Sequence, residues 1–135
     1  MRPHFKTILL FLLAVSLLAG CKKNATIYGT WQQTSVRQVN QTNDSTTYDM
    51  TTYITTGGAA FTFTVGGGYF STNSTGSYIK SGNTLQLIDT AYTPHRSIYF
   101  TITTLTDQLL VLQKTDTIST IPLMTVQYIY TLSPV

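Results

Sequence analysis

The chain has 135 residues, eight Lys or Arg against five Asp, no Glu and a single Cys, with 42% hydrophobic residues. A chain of this length makes one domain after any leader is removed. Its cations are scattered rather than clustered on one face, which excludes a nucleic-acid footprint. One His after the first 21 residues leaves too few ligands for a zinc site.

The N-terminus opens with Arg2 and Lys6 and continues into an apolar run from Ile8 to Ala19. That run falls short of the ~20 residues that cross a hydrocarbon core as a helix. Charge, apolar stretch and small-residue site in this order are the layout of a secretory signal. The run ends Leu18-Ala19-Gly20-Cys21, which resembles the lipobox of bacterial lipoproteins. The resemblance implies cleavage before Cys21 and lipidation of its thiol. Two or three acyl chains on one residue anchor far more firmly than one, because each buried methylene contributes about 0.8 kcal/mol. The expected organisation is a signal peptide over 1–20, a lipidated cysteine and linker over 21–27, and a domain over 28–135. Without Arg2 and Lys6 the net charge falls close to +1, counting His as neutral.

Beyond the linker, threonine makes up roughly a fifth of the chain and tyrosine is abundant, the composition of strands. No stretch shows a helical repeat. Asn40–Ser45 reads as a polar loop and Tyr48–Ile54 as a strand. Phe61, Phe63 and Val65 alternate with threonines, so one face is apolar. Gly66-Gly67-Gly68 supplies the positive φ angles of a tight turn before Tyr69. Ser81-Gly82-Asn83 separates Tyr78-Ile79 from Leu85-Gln86-Leu87. Ile98, Phe100 and Ile102 share one face, and Thr106-Asp107-Gln108 divides them from Leu109–Leu112, which is apolar on both sides. Thr115–Pro122 reads as a longer polar connection. In the last strand Met124, Val126, Tyr128, Tyr130 and Leu132 form one apolar face.

Short strands joined in sequence by hairpins make an antiparallel meander, which removes its exposed edges by closing into a barrel. The predicted fold is all-β, a small closed barrel of about eight strands.

The domain begins Ile27-Tyr28-Gly29-Thr30-Trp31, and Gly-x-Trp at the first strand is the lipocalin signature. The whole series resembles the small lipocalin-like lipoproteins of Bacteroidetes: a Gly-Thr-Trp strand after a lipobox, Phe-x-Phe at Phe61 to Phe63, Gly-x-Tyr at Gly76 to Tyr78, Leu-x-Leu at Leu85 to Leu87 and a Tyr-rich final strand. The likeness spans nearly all of the chain after Cys21. It implies a barrel that binds a small, mostly apolar ligand without catalysis, in an envelope lipoprotein, and outer-membrane anchoring facing the periplasm is the expected location. Lipocalins place an arginine near the last strand to stack on the signature tryptophan, whereas here no Arg or Lys follows Lys114.

The candidate ligand-binding residues are Trp31, Phe61, Phe63, Tyr78, Phe100, Tyr128 and Tyr130. Each also has a plain account as core, Trp31 above all, as a plug at one barrel end. Asp89, His95 and Arg96 form a candidate polar cluster in a hairpin loop. With His95 the one histidine of the domain and five scattered aspartates, the titratable groups that catalysis requires do not converge, and no enzyme activity, cofactor or metal is expected. The partner expected is the membrane, through Cys21. Asp44-Ser45-Thr46, Asp89-Thr90-Ala91 and Asp116-Thr117-Ile118 resemble the O-glycosylation sequon of the same phylum, which makes Ser45, Thr90 and Thr117 candidate acceptors. The alternative expectation is a solidly packed barrel with a structural or interaction role in the envelope.

Overall fold

A computed structural model describes residues 25–135. The expected signal peptide and Cys21, with Lys22 and Lys23, lie outside the described residues. Nine strands follow in order: β1 (Gly29–Thr42), β2 (Ser45–Tyr53), β3 (Ala60–Phe63), β4 (Gly68–Ser71), β5 (Thr75–Ser81), β6 (Thr84–Asp89), β7 (Arg96–Leu105), β8 (Leu110–Thr120) and β9 (Leu123–Pro134). All pair antiparallel, and β1 pairs with β9 as well as with β3, which closes a ring of eight strands. The expected meander barrel is the observed one.

β2 is the exception to the ring. The lower half of β1 (Gly29–Gln32) pairs with β3, and its upper half (Ser35–Thr42) pairs with β2 along the same side. A bulge between Gln33 and Ser35 marks the changeover on the β9 side. Bulges bend and twist a strand locally, and here one strand passes from barrel wall into a projecting sheet. The upper parts of β8 and β9 continue with it, so β2, β1, β9 and β8 form a four-stranded extension above the barrel.

This extension revises two sequence expectations. Asn40–Ser45 is not a loop: β1 runs to Thr42, and the chain turns tightly at Asn43 and Asp44, both with positive φ. Nor is Thr115–Pro122 a connection, since β8 continues to Thr120 before a short turn. Their side chains are polar because this sheet has left the core. Val65 is also reassigned: it stands 78% exposed in the β3–β4 turn, not on the inner face. The β3–β4 and β5–β6 hairpins turn where glycine permits positive φ, at Gly67 (φ 84°) and Gly82 (φ 56°).

The inner faces follow the period of two. Ile98, Phe100 and Ile102 on β7 point inward with Leu110 and Leu112 on β8 and Leu132 on β9. At the closed end Trp31, Phe63, Leu85, Leu110 and Leu132 are nearly or wholly buried. Ile27, ahead of β1, is 3% exposed and accepts a 2.8 Å hydrogen bond from Trp31 Nε1. The segment before the first strand thus folds beneath the barrel and satisfies the indole N–H. This is the local closure at Trp31, where no cation follows in the last strand.

Gly76 explains a piece of the pattern that sequence gives only as a motif. A Cβ there would lie 1.9 Å from the carbonyl oxygen of Ile88 on β6. Only glycine lets the β5 and β6 backbones come this close.

Candidate functional site

The open end of the barrel holds a cavity of about 250 Å³. Among its walls are inward residues of β3 and β6 to β9: Phe61 on β3, Leu87 on β6, Ile98 and Phe100 on β7, Leu112 on β8 and Tyr130 on β9. Alternation of the strands places all six on the interior, and the tapered, packed floor below leaves them as walls. The rim is polar, formed by Ser71, Thr72, Asn73 and Ser74 at the β4–β5 turn. Phe100 meets Tyr130 edge-on at 5.9 Å, and Tyr130 stacks on Tyr128 at 6.3 Å. Burial raises the pKa of the Tyr130 phenol, with the neighbouring Tyr128 and Asp116 adding in the same direction. It is therefore a neutral hydroxyl at physiological pH.

The rim is held by a short hydrogen-bonded relay. Ser74 Oγ donates to Asp89 Oδ2 at 2.8 Å, and the backbone N–H of Ala91 donates to Asp89 Oδ1 at 2.9 Å. A carboxylate only accepts, so the Ser74 proton is committed and the Tyr69 hydroxyl must donate to Ser74. Asp89 is 3% exposed, and its carboxyl is held below the usual range by the Ala91 N–H first and by Ser74 and Thr75, with Arg96 contributing charge. Burial opposes this without reversing it.

The sequence candidates separate accordingly. Phe61, Phe100 and Tyr130 line the cavity. Trp31 and Phe63 lie beneath it in the packed floor. Tyr78 packs edge-on against Phe63 at 5.2 Å and donates its hydroxyl to Thr64 O at 2.8 Å, away from the mouth. Tyr128 stands above the cavity on the extension, behind Tyr130. Asp89 and Arg96 are partners in the β6–β7 register, but Asp89 is turned to the rim relay. Arg96 instead lies over the Tyr92 ring at 5.0 Å, and His95 is exposed. Ser45, Thr90 and Thr117 are all exposed, at the start of β2, just after β6 and within β8 respectively.

Ala59, Tyr69, Leu87, Ile98, Leu112 and the Ser71–Ser74 turn also line the cavity, outside the candidate set that the sequence offers. The aliphatic residues belong to alternating strands and were legible as core; nothing local marks them as walls of a space. That depends on how far the floor residues fill the barrel. The polar turn carries no motif.

Beside Ile98 the wall itself parts. β8 pairs with β7 only from Thr101 downward, so Arg96–Phe100 and Lys114–Thr120 diverge. Arg96, Tyr99, Lys114 and Asp116 border the gap. Among the described residues, no group of three or more His, Cys, Asp or Glu is placed to hold a metal ion.

A family model described as a lipocalin-like domain matches residues 27–112. No curated protein and no solved structure matches the chain.

Proposed function

The chain belongs to the lipocalin-like domain family, and on that premise we propose that it is a non-catalytic envelope lipoprotein binding one small, mostly apolar ligand. The observation that carries this reading is the apolar cavity at the barrel mouth, with a polar rim on one side. Its volume of about 250 Å³ lies between a 150 Å³ cavity that takes benzene and the ~300 Å³ at which pockets for drug-sized molecules begin. A single ring or a short branched chain fits that range. The apolar part would bury against Phe61, Leu87 and Phe100, and a hydroxyl or amine would meet the Ser71–Ser74 turn.

Anchoring is proposed through Cys21, acylated after removal of residues 1–20, with the outer membrane facing the periplasm as the location. Ile27 enters at the closed end of the barrel. A tether a few residues earlier would hold the floor toward the bilayer and turn the mouth to the aqueous side. Lys22 and Lys23 beside it would each add about 1 kcal/mol at an anionic surface. Ser45, Thr90 and Thr117 are proposed acceptors for O-glycans, all on the exterior.

A second reading has its own observation. The lower barrel is solid, with Phe63, Leu85, Leu110 and Leu132 at 1% exposure or less, as in an envelope protein whose barrel serves as a rigid support. Native mass spectrometry of protein from its own host separates the two. A binding protein carries a copurified small molecule or takes up an apolar dye saturably, and Ile98→Trp, which fills the mouth, abolishes uptake without unfolding the chain. A rigid support shows no saturable uptake, and Ile98→Trp changes nothing.

A further inference from the structure

Strand β2 belongs neither to the cavity lining nor to the ring of eight strands. Every residue of β2 is exposed, and among the described residues β2 has one sheet neighbour, β1. Its other edge is open over nine residues. Open edges in soluble proteins are ordinarily blunted by Lys, Pro or an inward-pointing charge. β2 (STTYDMTTY) has no Lys, Pro or Gly. Its one charge, Asp49, is taken by Arg37 on β1, which donates through Nε at 2.8 Å and Nη2 at 2.5 Å. The edge is therefore neutral, rich in β-branched and aromatic residues, and undefended. The four-stranded extension carries Tyr48, Met50, Tyr53, Ile118, Ile121, Leu123 and Met124, half of the large apolar side chains that stand exposed on the described residues.

The phase of the ladder decides which backbone groups are free. Ile54 N donates to Thr34 O at 2.8 Å, so Thr34 and Ile54 form a hydrogen-bonded pair. Such pairs alternate along an antiparallel ladder. Thr52, Met50 and Tyr48 thus bond to β1, and Asp49, Thr51 and Tyr53 turn their N–H and C=O groups outward. Water satisfies such a row in the single chain, and another strand can take the place of that water, the mode of recognition known as strand addition.

We propose that β2 pairs antiparallel with β2 of a second copy of this chain, about a two-fold axis at Thr51. This register sets Thr51 opposite Thr51 and Asp49 opposite Tyr53, and it brings all three outward residues of each copy into hydrogen-bonded pairs. On the other face it sets Met50 against Thr52 and Tyr48 against Ile54. Shifting the axis to Asp49 would oppose two carboxylates, which is unfavourable for directly facing residues. Axes at Met50 or Thr52 are also in phase, but they leave Tyr53 or Asp49 facing a residue outside the outward set, and only the Thr51 axis pairs all three outward residues with one another. The product is a sheet continuous across the dyad, four strands from each copy, with both barrel mouths left open. A two-fold, self-complementary patch is the commonest form of subunit contact.

Thr51→Cys in the full chain, in its host envelope under mild oxidation, tests the register. Facing residues of a hydrogen-bonded antiparallel pair have Cα atoms about 5.5 Å apart, inside the roughly 4.4–6.8 Å that a disulfide spans. The expected result is a cross-linked dimer from Thr51→Cys and only background from Met50→Cys and from Asp107→Cys at the far end of the barrel. In sedimentation, the unsubstituted protein is expected at twice the chain mass, and Thr51→Lys, which opposes two cations at the axis, at the single-chain mass. Thr51 is exposed, so both variants should retain the far-UV spectrum and melting profile of the fold. A single-chain mass for the unsubstituted protein, or cross-linking at Thr51 no greater than at Asp107, overturns the proposal. So does a dimer that survives Thr51→Lys.

Discussion

Three residues show how much of this molecule depends on contacts that composition does not reveal. Trp31 is 3% exposed and its indole N–H is satisfied by Ile27 O. Trp31→Ala should cost about 3–5 kcal/mol, the usual range for truncating a buried aromatic, read as a fall in the denaturant midpoint. Gly76→Ala should cost about 1–3 kcal/mol or more, because the added methyl meets backbone of Ile88, not a movable side chain. Asp89 governs a pH dependence. Its pKa is lowered in the fold by the Ala91 N–H, Ser74 and Thr75, so its contribution is complete above the unfolded value of about 3.9 and is lost as pH falls through the lower folded value. Unfolding titrations from pH 6 to pH 2 should show stability falling in the acid range. Asp89→Asn should flatten part of that fall, leaving the part owed to Asp49, whose pKa is also lowered, first by its hydrogen bond to Arg37.

At the level of strands, the sequence was legible where a strand has one face in the core. Phe61 and Phe63, Ile98 to Ile102, and Val126 to Leu132 alternate because one side of each is buried, and their hairpins carry glycine or short polar turns. It was misleading where strands leave the core. Asn40–Thr42 and Thr115–Thr120 are extended but face solvent or polar neighbours on both sides, so no alternation distinguishes them from loops. Hydropathy reports burial, and these segments are strands without being buried. The same physics predicts their dynamics. Strands with few buried contacts open at low free energy, so amide exchange at Tyr48, Met50 and Thr52 of isolated chains should be faster than at Leu85 or Leu110. Pairing of β2 with a second copy would slow exchange at Asp49, Thr51 and Tyr53 as well, because it gives their N–H groups partners.

For the whole molecule, the barrel is two regions in one wall: a solid floor and a hollow mouth. The aromatic candidates could be read from the sequence as inward-facing, but not sorted between the two. Trp31 and Phe63 fill the floor, whereas Phe61, Phe100 and Tyr130 border space. That division depends on summed side-chain volumes across facing strands, which no single stretch of sequence contains. It also gives the mouth its chemistry, apolar walls with hydroxyls on one side. The binding account stands on that space being open to a ligand. Methyl NMR of the folded protein during titration with a single-ring aromatic compound such as toluene tests it most directly. Saturable shifts sharing one Kd at Leu87, Ile98 and Leu112, with Leu85, Leu110 and Leu132 unmoved, are the result predicted. Absence of saturable shifts at the mouth, or equal shifts in both sets, would contradict it.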